Sequence, residues 1–390
     1  MNHSLQNCER FNTPCYIFDE ETLLSTVALV RQSLGANFAL CYSLKANPFI
    51  LKSVVGAVDR LEVCSHGEFL ICKAWAVPPE RIFYTGVNKQ GCEIAEALAY
   101  GVRHFNLESL RQYEILQDAA RQAQVCCRVY VRLNAGNQFG MSMTDLLAVI
   151  GACRDTADSC LEVAGVHYFA GTAQKRGRRQ KQLSELQECL KAVRPLLTEP
   201  VEVEYGPGLG VRYFADEAEA PDEQVLRELT SDLAAVADCR HERWTIELGR
   251  FLSAPCGSYL TAVADLKSAG GCSYVILDGG MHQLSYYGQI LGMRQPLIRH
   301  YGTGGPAQRY LLCGSLCTTA DVLAKGVELP QLHLRDRLQF LRCGAYACTE
   351  APGLFLSRNL PGLYLIRADG RVELIRDTLP TYPLNMEEIR

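Results

Sequence analysis

From about residue 22 the chain alternates between two textures. Short apolar runs ending near Lys45, Cys64, Tyr84, Asn106, Leu133, His167, Tyr205 and Ile246 predict strands. Between them lie amphipathic stretches, such as 109–123 and 222–237, whose apolar positions recur at helical spacing. Eight strands with helices between them in roughly 230 residues predict a (β/α)8 TIM barrel, placed at 22–253. After Leu252 the pattern changes. The segments 258–266, 273–278, 308–313, 337–343, 362–367 and 371–376 are short and strand-like, with Gly and Pro between them. They predict an all-β domain, a sandwich or barrel, over 254–390 together with 1–21.

Barrel sites sit at the C-terminal ends of the strands. The odd polar and Gly-rich features of this chain fall there: Lys45, Ser65-His66-Gly67-Glu68, Asn88, Arg132 with Asn134, His167, the glycine loop 206–210, and Glu247. Lys45 closes the apolar run Phe38-Ala39-Leu40-Cys41-Tyr42-Ser43-Leu44. A lysine at such a mouth either snorkels to solvent or is desolvated, which lowers its pKa and makes it a nucleophile toward an aldehyde cofactor.

Bulk properties narrow the field. The 390 residues are 48% apolar and 21% charged with a net charge of -4, which points away from nucleic acid and membrane surfaces. No basic segment followed by an apolar run opens the sequence, so a cytoplasmic protein is expected. The 18 cysteines are scattered without paired CxxC clusters, so reduced thiols and no metal site are expected.

Gly206-Pro207-Gly208-Leu209-Gly210 follows the seventh strand and is either a tight turn or a loop whose N–H groups wrap a phosphate. Glu247-Leu248-Gly249-Arg250 follows the eighth. It reads as a structural ion pair, or as a carboxylate for a pyridine nitrogen beside an arginine for a phosphate. Cys317 is either a buried structural thiol, the default among so many cysteines, or, because small polar residues flank it, an exposed thiol that carries a proton.

These motifs, with Tyr42–Asn47, Phe139-Gly140-Met141, Gly165-Val166-His167 leading to Gly171-Thr172, Asp278–Met281 and Gly344-Ala345-Tyr346, resemble the fold-type III pyridoxal-phosphate (PLP) decarboxylases, the ornithine and diaminopimelate decarboxylase family. The resemblance runs nearly end to end. It implies that Lys45 bonds the cofactor aldehyde, that Glu62, His167 and Phe169 lie beside the cofactor, and that Glu247 holds its ring nitrogen. Arg250, Thr172, Gly208, Gly210 and Tyr346 would surround the phosphate. The family implies a homodimer with shared active sites, in which Cys317 of the partner subunit returns a proton after carbon dioxide leaves.

Departures from the family pattern carry information. Phe169 stands where a stacking histidine is usual, so it can cover a ring but move no proton. Cys317-Thr318 replaces the usual Cys-Asp or Cys-Glu, which removes the charge partner for a distal ammonium. The stretches 278–289 and 316–323 resemble decarboxylases of secondary metabolism that act on conjugates, such as citryl-diaminopropionate in siderophore assembly or carrier-bound glutamate. An anionic conjugate would suit the basic run 175–181, whose other reading is a solvated helix start. Arg294, Thr318 and His282 are the substrate-side candidates. The alternatives are a decarboxylase of free diaminopimelate, ornithine or lysine, an amino-acid racemase (which places arginine, not Glu247, at the ring nitrogen), and a non-catalytic homologue.

Overall fold

The computed structural model describes residues 8–155, 159–217 and 221–387. They fall into two compact units. One holds the described residues of Val27–Gly210 and Ala220–Phe251, the other those of Met1–Thr26, Val211–Glu219 and Leu252–Arg390.

Strand β1 (Cys15–Asp19) belongs to the second unit. The first unit is a closed barrel of β2 (Phe38–Ser43), β3 (Arg60–Val63), β4 (Ile82–Tyr84), β5 (His104–Leu107), β6 (Cys127–Arg132), β7 (Leu161–Phe169), β8 (Val201–Gly206) and β9 (Glu242–Leu248). All are parallel, and β9 closes the ring by pairing Trp244–Leu248 with Phe38–Tyr42 of β2. The amphipathic stretches fold as helices Leu110–Ala123 and Asp222–Ala234, the former capped by Ser109 Oγ accepting from Gln112 N at 3.1 Å.

The barrel interior is packed in layers. Phe83 sits edge-on to Tyr130 at 4.8 Å and to His167 at 5.8 Å between ring centroids. Ala164 joins the Phe83–Tyr130 cluster although it is three residues from His167. In a regular strand those two would face opposite sides. A register shift between β6 and β7 at this point lets both face inward.

The second unit is mostly sheet. It contains β10 (Gly257–Ala269), β11 (Cys272–Leu277), β12 (Ile298–Tyr301), β13 (Ala307–Cys313), β14 (Val322–Pro330), β15 (Arg337–Leu341), β16 (Gly362–Ile366) and β17 (Val372–Arg376). The long β10 organises it: Ser258–Leu260 pair with both β1 and β15, and beyond a bulge at Val263/Asp265 the strand pairs with β11. A Cβ on Gly344 would lie 1.9 Å from the Ser253 carbonyl oxygen and 2.7 Å from Gly257 N, which explains the glycine of the 344–346 motif.

Within 254–390 two strands lie outside the predicted segments. β12 is four residues long with no clear alternation, and β14 is interrupted by Gly326 at φ +65°. The segment 211–217, placed by its sequence position in the barrel, packs instead in the sheet unit. Phe214 bridges to Pro296, and Tyr213 and Phe214 contact Tyr286. Among the described residues no helix is long and apolar enough to cross a membrane, and no group of side chains could hold a metal ion.

Candidate active site

The C-terminal ends of the barrel strands converge on a cluster around Lys45. The strand β2 stops at Ser43, and a single 3-10 turn, Leu44–Ala46, carries Lys45 over the mouth. Asn47 ends that turn, its side chain accepting from Phe49 N at 3.0 Å, and Pro48 prevents continuation. A Cβ on Gly249 would lie 3.1 Å from that of Ser43 and 2.9 Å from that of Ala46, so glycine is what allows the loop after β9 to close on this turn.

Lys45 Nζ donates to both oxygens of Glu62, at 2.9 and 2.7 Å, and stands 3.9 Å from Glu247 Oε1. It also lies 3.2 Å from Cys64 Sγ. Glu62 is buried, while the lysine side chain remains one-third exposed at 33%. Glu247 Oε1 accepts from Ser43 Oγ at 3.1 Å. Its Oε2 lies 3.3 Å from His167 Nε2, but neither atom has a hydrogen-bond partner. His167 is wholly enclosed, and burial pushes its imidazole down to about 3, so it is neutral. A buried carboxylate oxygen without a partner is costly, and here it is open to an incoming N–H donor.

Three loops meet nearby. Arg250 Nε donates to Thr172 Oγ1 at 3.2 Å. Gly208 (φ +60°) packs so tightly against the loop after β7 that a Cβ would fall 1.9 Å from Gly171 O. Gln174 N donates to Gly208 O at 2.8 Å. Gly210 lies over Ala173, the Cβ position being 3.7 Å from its Cα. Phe169 ends β7 and covers Gly206, whose Cβ would meet the phenyl ring at 2.4 Å. Thr172, Gly208, Gly210 and Arg250 are therefore brought together, at the position where barrels bind phosphate.

The remaining candidates lie in the sheet unit. Cys317 is exposed. Its loop is tied down by the buried Asp321, whose carboxylate accepts from Met281 N and Leu316 N at 2.8 Å each. Thr318 Oγ1 accepts from Ala320 N at 3.2 Å. Tyr346 adopts φ +64°, and its carbonyl accepts from the N–H groups of Thr349 and Glu350. His282 is buried with both ring nitrogens unpartnered, and burial lowers its pKa to about 4. Arg294 is engaged by Asp216 at 3.1 Å and Glu217 at 3.0 Å and lies over the Phe214 ring, so its charge is already answered. In the basic run, Arg176 and Arg179 are spent on Asp232.

Several site groups escaped the sequence reading. Cys64 and Thr85 both contact Glu62, at 3.0 and 2.9 Å. Glu108 pairs with Arg132 at 2.8 Å in a buried bridge. Lys89 is enclosed, donates to Gly86 O and Gln112 Oε1, and is lowered to about 7 by burial. Below the mouth, Glu204 is fully buried beside Arg60, and burial raises it to about 8. The available signal was a charged residue at alternate positions within a strand, as in Glu202 and Glu204 of β8.

Residues 21–254 match the family model described as pyridoxal-dependent decarboxylase, pyridoxal binding domain. The chain is 26% identical, over 94% of its length and 92% of the relative's, to the L-glutamyl-[BtrI acyl-carrier protein] decarboxylase of Niallia circulans. It is 27% identical to a diaminopimelate decarboxylase of Bacteroides thetaiotaomicron, over 90% of this chain and 95% of the relative. The fold superposes on diaminopimelate decarboxylase of M. jannaschii with a TM-score of 0.85 at 22% identity, over 98% and 93% of the two chains. With a lysine and two carboxylates at the barrel mouth and the family match spanning the whole barrel, the chain belongs to the pyridoxal-dependent decarboxylases, enzymes that use PLP to remove a carboxylate from an amino acid.

Proposed function

We propose that this PLP-dependent decarboxylase acts on an amino-acid conjugate, a substrate whose distal end carries no free ammonium. The observation that carries this reading is Thr318. It follows the proposed proton-returning Cys317, and its hydroxyl serves as a local cap on Ala320 N, with no carboxylate at that position. A distal ammonium would lose its charge partner there, and a buried or half-buried ion without a partner is disfavoured. The Niallia relative, named for a carrier-bound glutamyl substrate, supports the same class. A citrate conjugate of the kind used in siderophore assembly is the anionic member of that class.

The residues fit the cofactor. Glu247 Oε2, buried and unpartnered, suits a protonated ring nitrogen, and the cradle of Thr172, Gly208, Gly210 and Arg250 suits a phosphate. When bound, PLP supplies an electron sink conjugated to the substrate Cα. Lys45 is the point of covalent attachment, and Glu62 holds its ammonium in place before attachment. Glu247, oriented by Ser43, keeps the proton on the ring nitrogen. Phe169 excludes water from one ring face and moves no proton. The family resemblance assigns Tyr346 to the phosphate and, in a homodimer, the partner subunit's Cys317 to returning a proton to Cα. Of the substrate-side candidates in the sheet unit, His282 keeps both ring nitrogens unpartnered, whereas Arg294 would have to leave Asp216 and Glu217 to meet a substrate.

A second reading, a decarboxylase of free diaminopimelate, is favoured by the Bacteroides relative. Carbon dioxide release by the PLP-loaded protein separates the two. The panel is citryl-diaminopropionate, carrier-bound glutamate, free glutamate, ornithine, lysine and meso-diaminopimelate. Release from a conjugate alone supports the first reading, and release from a free diamino acid overturns it.

A further inference from the structure

Nine of the 18 cysteines, Cys72 and Cys153 among them, are buried. Cys64 differs. It follows the last residue of β3, and its backbone is fixed from several sides. Its N–H donates to Glu68 Oε2 at 2.7 Å, while Glu68 N is itself received by Ser65 Oγ at the start of the next helix. A Cβ on Gly86 (φ +97°) would fall 2.3 Å from the Cys64 carbonyl oxygen, so the neighbouring loop is seated directly on it.

The thiol so placed has three polar neighbours. Sγ donates to Glu62 Oε1 at 3.0 Å, receives Lys45 Nζ at 3.2 Å, and lies 3.2 Å from Thr85 Oγ1. Thr85 in turn donates to Glu62 Oε1 at 2.9 Å, and its N–H is tied to Val63 O at 2.8 Å. Glu62 Oε1 thus accepts from Lys45, Cys64 and Thr85 together. Burial, and then the charge of Glu62, raise the thiol well above its ordinary range, so it stays protonated and able to donate.

We infer that Cys64, together with Thr85, is a positioning residue: the two fix the Glu62 carboxylate in the orientation from which it receives a proton from Lys45 as the lysine takes up the cofactor aldehyde. The step balances within the site. One proton of the Lys45 ammonium passes to Glu62, the bond from Nζ to the aldehyde carbon forms, and the remaining ammonium protons leave with the carbonyl oxygen as water. A carboxylate free to turn about its side-chain torsions would meet that proton less often, because hydrogen bonds from rigid neighbours are what hold a general base in geometry. A thiol serves here because the site is tight and desolvated, and sulfur is a weak donor that does not compete with Lys45 for the carboxylate. This inference rests on Lys45 being the attachment residue.

The test is the rate at which cofactor-free full-length protein takes up PLP, followed by the rise of the visible band and by borohydride reduction with mass mapping of Lys45. Cys64→Ala is expected to slow uptake about 3–10-fold, Thr85→Val by a similar factor, and the pair by more than either. Cys64→Ser, which keeps a donor, is expected to return to within about twofold of the parent. Uptake by Cys64→Ala at the parental rate overturns the inference. So does a Cys64→Ser variant as slow as Cys64→Ala while both melt at the parental temperature, since packing alone would then explain the effect. Lys45→Ala separates this failure from a failure of the site. If it still takes up PLP covalently at the parental rate, the attachment residue is elsewhere.

Discussion

Glu247 and Glu204 stand on adjacent strands of one barrel, both buried and both facing its interior, yet their surroundings differ. Glu247 is one residue short of the end of β9, is oriented by Ser43, and lies within 3.9 Å of Lys45. Glu204 is two residues before the end of β8, in the layer below. Its polar neighbours are the weak thiol donor of Cys41 and Arg60, which is 3.5 Å away and shared with Glu202 and Tyr130. Successive inward positions on a strand are two residues apart, so this is a difference of one layer of depth. At the mouth a carboxylate can be answered by a lysine and by an incoming ligand. One layer down it is enclosed, and it answers its own burial by holding a proton.

The comparison breaks first at Lys45. Lys45→Ala is expected to abolish covalent retention of PLP and to lower carbon dioxide release by about 10³-fold or more. Visible absorbance after gel filtration and a decarboxylation assay measure both. Glu247→Gln keeps the shape and removes the charge. It should leave PLP bound and lower release by about 10²-fold, because the ring nitrogen loses the group that keeps it protonated. The same change at Glu204 should do neither, since Glu204 touches no reacting atom. A comparable loss of turnover in Glu204→Gln would end the distinction between the two layers.

Glu204 should instead reveal itself in stability. The folded chain keeps its proton up to about 8, whereas an unfolded glutamic acid releases it near 4.5. Its contribution is therefore complete below 4.5 and is lost as pH rises to about 8, by an amount on the order of a few kcal/mol. His167, its register partner on β7, gives the opposite slope. Unfolded, it takes a proton near 6.5, which the folded chain refuses until about 3, so stability falls as pH drops through that window. Urea titrations from pH 4 to 9 should show a parental decline between about pH 6.5 and 8, where His167 no longer offsets it, that Glu204→Gln lacks. An unchanged profile in the variant would mean that Glu204 is ionised in the fold.

The same depth argument explains what could be read from the sequence. Lys45, Glu247 and Arg250 could be singled out because each sits at or near a strand end, close to a helix-breaking Pro or a Gly that marks the turn, whereas Glu62 came only through the family resemblance. Glu204 and Arg60 could not, because an inward charge inside a strand looks like an outward one until the barrel closes and fixes which face is enclosed. Cys64 was hidden among many cysteines, and only its distance from Lys45 sets it apart. In the sheet unit, β14 was obscured by the positive φ of Gly326, and the segment 211–217 was misplaced because sequence neighbours of the barrel loop can fold with another unit, here through the Tyr213-Phe214 pair and the Arg294 bridges to Asp216 and Glu217.

The smallest expected effect concerns substrate choice. Thr318 donates no charge, and its hydroxyl is satisfied by Ala320 N within a loop held by Asp321. Thr318→Asp keeps a cap acceptor for Ala320 N, so the loop should retain its shape. It also adds a carboxylate at the position where a distal ammonium lacks one. If the proposed specificity is correct, the variant should gain about tenfold in kcat/KM toward free lysine or ornithine, roughly 1.4 kcal/mol of transition-state binding. It should lose a similar factor toward a citrate conjugate through like-charge repulsion. Because both changes arise from one charge, they should fade together as ionic strength rises, whereas a distorted loop would lower both substrates alike at any salt. A variant that loses activity on every substrate equally would place Thr318 among the residues that merely hold Cys317, and the distal end of the substrate would have to be read elsewhere.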